Sequence, residues 1–129
     1  GHHTLSHEPD SSQAAVDGLT KINTWYCGEV AYLLRRLSEI SEPAGGHGTL
    51  LDNTLVVWTN ELGKGNSHTL DGIPLVLVGG GCGFETGRAV SFDNAAHNRL
   101  WLAVAHAFGH KIDVFGSQQF CEGGPLVLA

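Results

Sequence analysis

His3 and His7 stand four residues apart, and neutral imidazole is the commonest metal ligand at neutral pH. That spacing admits a metal site. It equally admits a bland reading, in which Gly1-His2-His3 is the remnant of a tag and His7 a solvated loop residue. A second group of candidates begins at Asn60 and Glu61, which follow the apolar run Leu55-Val56-Val57-Trp58-Thr59. Such a run reads as a strand, and open α/β sheets place ligands and catalytic groups at the C-terminal ends of strands. His68 comes seven residues after Glu61. If the next strand runs back beside the first, Glu61 and His68 become neighbours at one sheet edge.

The elements that would position these residues are legible in outline. Residues 1–9 are polar and His-dense, and Pro9 disfavours helix at the residue before it, so this stretch reads as a loop arm. Asp10-Ser11-Ser12-Gln13 has the form of a capping box. A long helix follows over 10–42, because Val16, Leu19, Ile22, Tyr26, Val30, Leu33, Leu34, Leu37 and Ile40 recur at intervals of three and four. Pro43 and Gly45-Gly46 end it.

Residues 54–92 hold the strands and the site loop. Leu55–Thr59 is continuously apolar, as a central strand covered on both faces would be, and Ile73-Pro74-Leu75-Val76-Leu77-Val78 reads as a second buried strand. Gly79 to Gly83 reads as a flexible loop and Arg88–Phe92 as a short edge strand. A last helix is expected over 94–109, capped by Asn94 and closed by Gly109, and the tail 110–129 is loop with a strand near Leu126–Leu128. The expected fold is therefore α/β: a small mixed sheet with a long N-terminal helix and a C-terminal helix, in a single domain over 1–129.

Composition narrows the partners. Thirteen acidic residues against seven basic ones leave a formal charge of −6, so no broad basic footprint exists for nucleic acid or an anionic membrane. No apolar run approaches the ~20 residues of a membrane span, and the opening residues carry no signal region, so the chain as given reads as soluble and cytoplasmic. Cys27, Cys82 and Cys121 are odd in number and widely spaced, which fits structural thiols better than a disulfide framework or a cysteine zinc site. Among the other candidates, His97 and Asn98 open the last helix, His47 lies in a Gly-rich turn, and His106 and His110 read as structural.

The segment Thr59-Asn60-Glu61-Leu62-Gly63, followed by Asn66-Ser67-His68-Thr69 and Ile73-Pro74, resembles the metal-binding C-terminal segment of the alkaline phosphatase superfamily, which includes sulfatases and cofactor-independent phosphoglycerate mutases. The chain is more closely similar to the C-terminal third of an uncharacterised bacterial family of sulfatase-like proteins, through His3-Thr4-Leu5-Ser6-His7, Leu50-Leu51-Asp52-Asn53-Thr54, Asn60-Glu61-Leu62-Gly63, His97-Asn98-Arg99-Leu100 and Gly124-Pro125-Leu126. That resemblance spans almost the whole chain. It implies the C-terminal portion of an alkaline phosphatase-like fold.

The resemblance also implies a site. Its Asp-x-x-x-His pair and distant His correspond here to His3, His7 and His68, giving a three-imidazole zinc site, one metal per chain. The Asp-His of the second metal corresponds to Asn60 and Glu61, so any second ion would sit near Glu61. The superfamily's nucleophile belongs to an N-terminal half that these residues do not match. Three His ligands with an open fourth position suit water activated by zinc, with Glu61 as general base and Asn60 beside it. Apart from the resemblance, Lys64 and Arg88 are the candidate contacts to an anionic substrate, with plain solvated surface charge as the alternative reading of both. The expected function is a zinc-dependent hydrolase of phosphate esters, diesters or triesters before monoesters, and the alternative is a non-catalytic metal-binding or interaction fragment. A third reading makes the metal structural, with four ligands. A homodimer is expected as well, because Trp25, Tyr26, Tyr32 and Trp58 offer more aromatic surface than two helices and two strands cover.

Overall fold

The computed structural model of the chain describes residues 1–43 and 45–128. Its elements are α1 (His2–Ser6), α2 (Gln13–Glu39), β1 (Val56–Thr59), β2 (Leu75–Val78), α3 (Asn98–Ala107) and a 3₁₀ turn at Gln118–Phe120. The molecule is thus a small α/β structure, with a two-stranded antiparallel sheet rather than a mixed one among the described residues. Among the described residues, no helix is long and apolar enough to cross a membrane.

The periodic stripe does form the long helix, and it is only half covered. Leu19, Ile22, Val30, Leu34 and Leu37 are half-buried, whereas Val16, Tyr26, Leu33 and Ile40 are exposed, and Ala15 alone is fully buried in α2. Trp25 and Tyr32 stand well out, at 59% and 61% exposure. The capping box does not form. The residue before the first turn of α2 is Ser12, its hydroxyl caps nothing, and Gln13 donates to Asp17 one turn on. Asp10 is turned to other partners, described below. The arm also departs from expectation, since His2–Ser6 is a single helical turn whose Leu5 lies over Gly18 of α2.

β1 and β2 pair antiparallel in the register Val56↔Val78, Val57↔Leu77, Trp58↔Val76 and Thr59↔Leu75. Because successive side chains alternate faces, Leu75 and Leu77 share one face and Trp58 and Val76 the other. The first face packs on α3, where Leu100, Ala103 and Leu128 form the core with Leu75, Leu77, Phe84 and Leu126 around them. The second face looks toward α2 across a hollow of about 170 Å³ lined by Asn23, Trp58, Asn60, Pro74 and Val76. β1 is therefore not a central strand here: Val56, Val57 and Trp58 are half-buried, and β2 is its one partner among the described residues. The element pairs in substantial contact are α1 with α2 and β1 with β2.

α3 is shorter than expected, starting at Asn98 with His97 before it; Asn94 instead takes a left-handed backbone, φ 54°. Gly109, at φ 84°, closes the helix as expected. Residues 88–92 and 126–128 are irregular rather than strands. The tail is held by other bonds: Arg99 Nε donates to the Gly124 carbonyl at 2.7 Å, Asn98 to the Phe115 carbonyl at 2.7 Å, and the Leu126 amide to the Arg99 carbonyl at 3.1 Å. The Gly79 loop is pressed on chain 51–54, so closely that a Cβ at Gly79 would lie 2.1 Å from the Thr54 carbonyl oxygen. Glycine is there for contact as well as turning.

Asp52 organises the turn before β1. Its carboxylate accepts from the Thr49 amide at 2.7 Å and the Thr49 hydroxyl at 2.9 Å, and these bonds hold it below the usual carboxylate range. A depressed folded pKa means stability that is present above the ordinary value of 3.8 and lost as pH falls through the folded one. Carbon-detected titration is expected to place Asp52 below 3.8, and Thr49→Val, which removes the hydroxyl donor and leaves the amide, to move it part of the way back. An unchanged midpoint in the variant would assign the whole effect to the amide.

Candidate metal centre

The loop between the strands is a small hairpin. The Gly63 amide donates to the Thr69 carbonyl at 2.9 Å, and Lys64 bridges Thr69, which leaves Gly65–His68 at the tip. His68 takes a left-handed backbone, φ 50°, one of two non-glycine residues to do so among those described. Such a conformation costs about 1–3 kcal/mol and persists where the surroundings impose it. Here it accompanies an imidazole set against the arm.

His7 lies against both of the other histidines of the expected ligand set. His3 and His7, one turn apart across α1, have ring centroids 4.6 Å apart, and His7 and His68 lie 5.0 Å apart although 61 positions separate them in the chain. Both pairs are edge-on, with interplanar angles of 69° and 68°. Zinc binds imidazole nitrogen at about 2.0–2.1 Å, which puts each ring centroid about 3 Å from the ion and two tetrahedral ligands about 5 Å apart. Ring type and spacing fit that figure. Among the described residues, however, no set of three or more His, Cys, Asp or Glu side chains holds a metal-binding arrangement as it stands. All three histidines are exposed, so their rings are free to turn.

The remaining candidates fall in several places. Asn60 and Glu61 are exposed just past β1, at the root of the hairpin that bears His68, and Asn60 also lines the hollow facing α2. Both cations offered to a substrate are engaged. Lys64 is paired with Asp10, while Arg88 is paired with Glu85 at 2.9 Å and donates to the Leu128 carbonyl at 2.8 Å. His106 is structural, its Nε2 lying 2.8 Å from the Ile112 carbonyl, and His47 and His110 are exposed. His97 is exposed at the start of α3 and caps nothing with its side chain. His2 lies edge-on to Tyr26 of α2 at 6.5 Å.

The thiols are free. Cys121 is buried between the Phe115 amide and carbonyl, burial pushes the half-buried Cys82 thiol up, and Cys27 is exposed on α2, so only the first fits a structural role fully.

Sequence reading missed Asp10 as a member of this region. Its carboxylate accepts from Lys64 and, at 2.8 Å, from Asn66 Nδ2, which also donates to the Glu8 carbonyl at 3.2 Å. The bond from Lys64 first, and that from Asn66 second, hold the Asp10 carboxyl below the usual range. No local signal announced this, because the partners lie more than 50 residues away. Comparison with protein-family models, curated proteins and solved structures finds no match to the chain. The superfamily resemblance therefore rests on the sequence motifs.

Proposed function

We propose that His3, His7 and His68 hold a zinc ion and that the chain hydrolyses phosphate esters with it. The observation that supports this best is the meeting of His7 and His68, with His68 held in a left-handed backbone that places its ring against the arm. Bound there, zinc would bring the pKa of a water it holds far down, to about 7. Glu61, exposed at the root of the same hairpin, takes the proton as general base. Asn60 orients the ester beside it, and the hollow behind Asn60 accepts an apolar substituent against Trp58 and Val76.

Neutral or singly charged esters suit this site better than monoester dianions. A dianion demands concentrated positive charge at its oxygens. Lys64 and Arg88 already spend their charge on Asp10 and Glu85.

The test is turnover of aryl phosphate mono-, di- and triesters by chelator-stripped protein before and after zinc is restored. Zinc-dependent turnover that favours di- or triesters is expected. Glu61→Gln is expected to keep the metal and lose about 10²–10⁴-fold in rate. Zinc uptake without turnover would overturn the hydrolase and leave a metal-binding module, while absence of zinc uptake would remove both.

A further inference from the structure

We infer that Asp10 is a positioning residue for this centre, acting with Lys64 and Asn66 as a latch that sets His68 against His7; the role in metal binding rests on the reading above. The two histidines come from segments far apart in the chain, the arm and the tip of the hairpin. A hollow of about 230 Å³, lined by Pro9, Asp10, Val16, Leu19, Gly63 and Lys64 among others, separates the arm and α2 from the hairpin. What crosses it is a short set of contacts at three consecutive hairpin positions.

Lys64 pairs with the Asp10 carboxylate. Asn66 donates from one nitrogen to the other Asp10 oxygen at 2.8 Å and to the Glu8 carbonyl at 3.2 Å. Between them Gly65 lies so close to the arm that a Cβ there would be 2.7 Å from the Ser6 carbonyl oxygen. His68 follows two residues after Asn66, and His7 precedes Asp10 by three. The ties therefore flank His7 on the arm and lie just before His68 on the hairpin.

Each tie is weak by itself. The ion pair is half exposed, and exposed pairs contribute little to stability. Their value lies in geometry, since a ligand set assembled from two segments binds only when the segments are in register. Removing a group that orients ligands without touching the metal typically costs 10–100-fold in affinity. Asp10 meets that description, because its bonds go to Lys64 and Asn66, the residues that carry the hairpin.

The latch exists without metal, so it can be tested without metal. In metal-free full-length protein, nuclear Overhauser contacts between the His7 and His68 rings are expected, and Asp10→Ala is expected to remove them while the cross-strand contacts of Trp58 with Val76 persist. Asp10→Asn, which keeps an acceptor for Asn66 and drops the charge, should retain part of them. Lys64→Ala breaks the latch from the other side, so the question stays answerable if the Asp10 variant fails to fold. Ring contacts of wild-type strength in both Asp10→Ala and Lys64→Ala would overturn the latch, whatever the fate of the zinc proposal. A second readout is zinc affinity by competition with a chromophoric chelator. A fall of about 10–100-fold in Asp10→Ala, partly rescued in Asp10→Asn, is expected; equal affinity in wild type and Asp10→Ala would sink the positioning role. Wild-type protein that binds no zinc, yet loses its ring contacts in Asp10→Ala, would keep the latch and remove the metal.

Discussion

His68→Gly is expected to abolish zinc binding and leave the fold standing. His68 is the one member of the ligand set that comes from the sheet side of the molecule, so without it His3 and His7 are two imidazoles on a single turn of helix. Affinity should fall by more than the 10–100-fold that loss of a supporting contact costs. The effect on stability runs differently. At φ 50° a histidine is strained and a glycine is not, so the substitution relieves strain while it forfeits the edge-on contact with His7. The two changes oppose each other, and the net shift in unfolding free energy should stay within about 1 kcal/mol. His68→Ala loses the same ring and keeps the strain, so it should be the less stable of the two. Chelator competition and thermal melting of both variants check this pattern. Full zinc affinity in either variant would refute His68 as a ligand.

Leu100→Ala is expected to be strongly destabilising. Leu100 is 4% exposed and sits in the cluster that joins α3 to β2, with Ala103, Leu128, Leu75 and Leu77 as neighbours. Truncating a buried leucine costs about 2–5 kcal/mol, from lost burial and from the cavity left behind. Small domains have about 5–15 kcal/mol in all. This one has few buried residues to share the loss, since Ala15, Leu100, Leu102, Ala103, Cys121 and Leu128 are the buried apolar residues among those described. Chemical denaturation should show the midpoint falling with an unchanged slope. A change below about 1 kcal/mol would mean that the α3 face is not the principal core.

What could be read in the sequence follows from how local each feature is. The long helix, the two strands and the left-handed Gly109 all rest on periodicity or turn chemistry within a few residues, and all are present. The arm read as loop because its residues are polar and Pro9 follows; it gains a helical turn from Leu5 against α2, a contact made outside its own segment. Asp10 read as a cap for the same reason in reverse, since its actual partners, Lys64 and Asn66, are invisible to a local rule. An apolar run such as Leu55–Thr59 is compatible with deep or shallow burial, and the pattern alone does not say which face finds a neighbour. The site behaved similarly. Resemblance brought His3, His7 and His68 together in advance, whereas the pairing of Lys64 and Arg88 with carboxylates depended on tertiary placement.

The hollows between α2 and the sheet and between the arm and the hairpin have a thermodynamic consequence. Units linked by few contacts open with separate free energies, so the helical part and the β2–α3 part need not melt as one. In metal-free protein hydrogen exchange is then expected to run faster along α2, where Ala15 alone is buried, than along α3, where Leu100, Leu102 and Ala103 are. A ligand that binds only when both units are docked adds its binding energy to the docked state alone. Zinc drawn between His3 and His7 on one side and His68 on the other would convert two transitions into one, making the ion the element that turns this chain into a single folding unit.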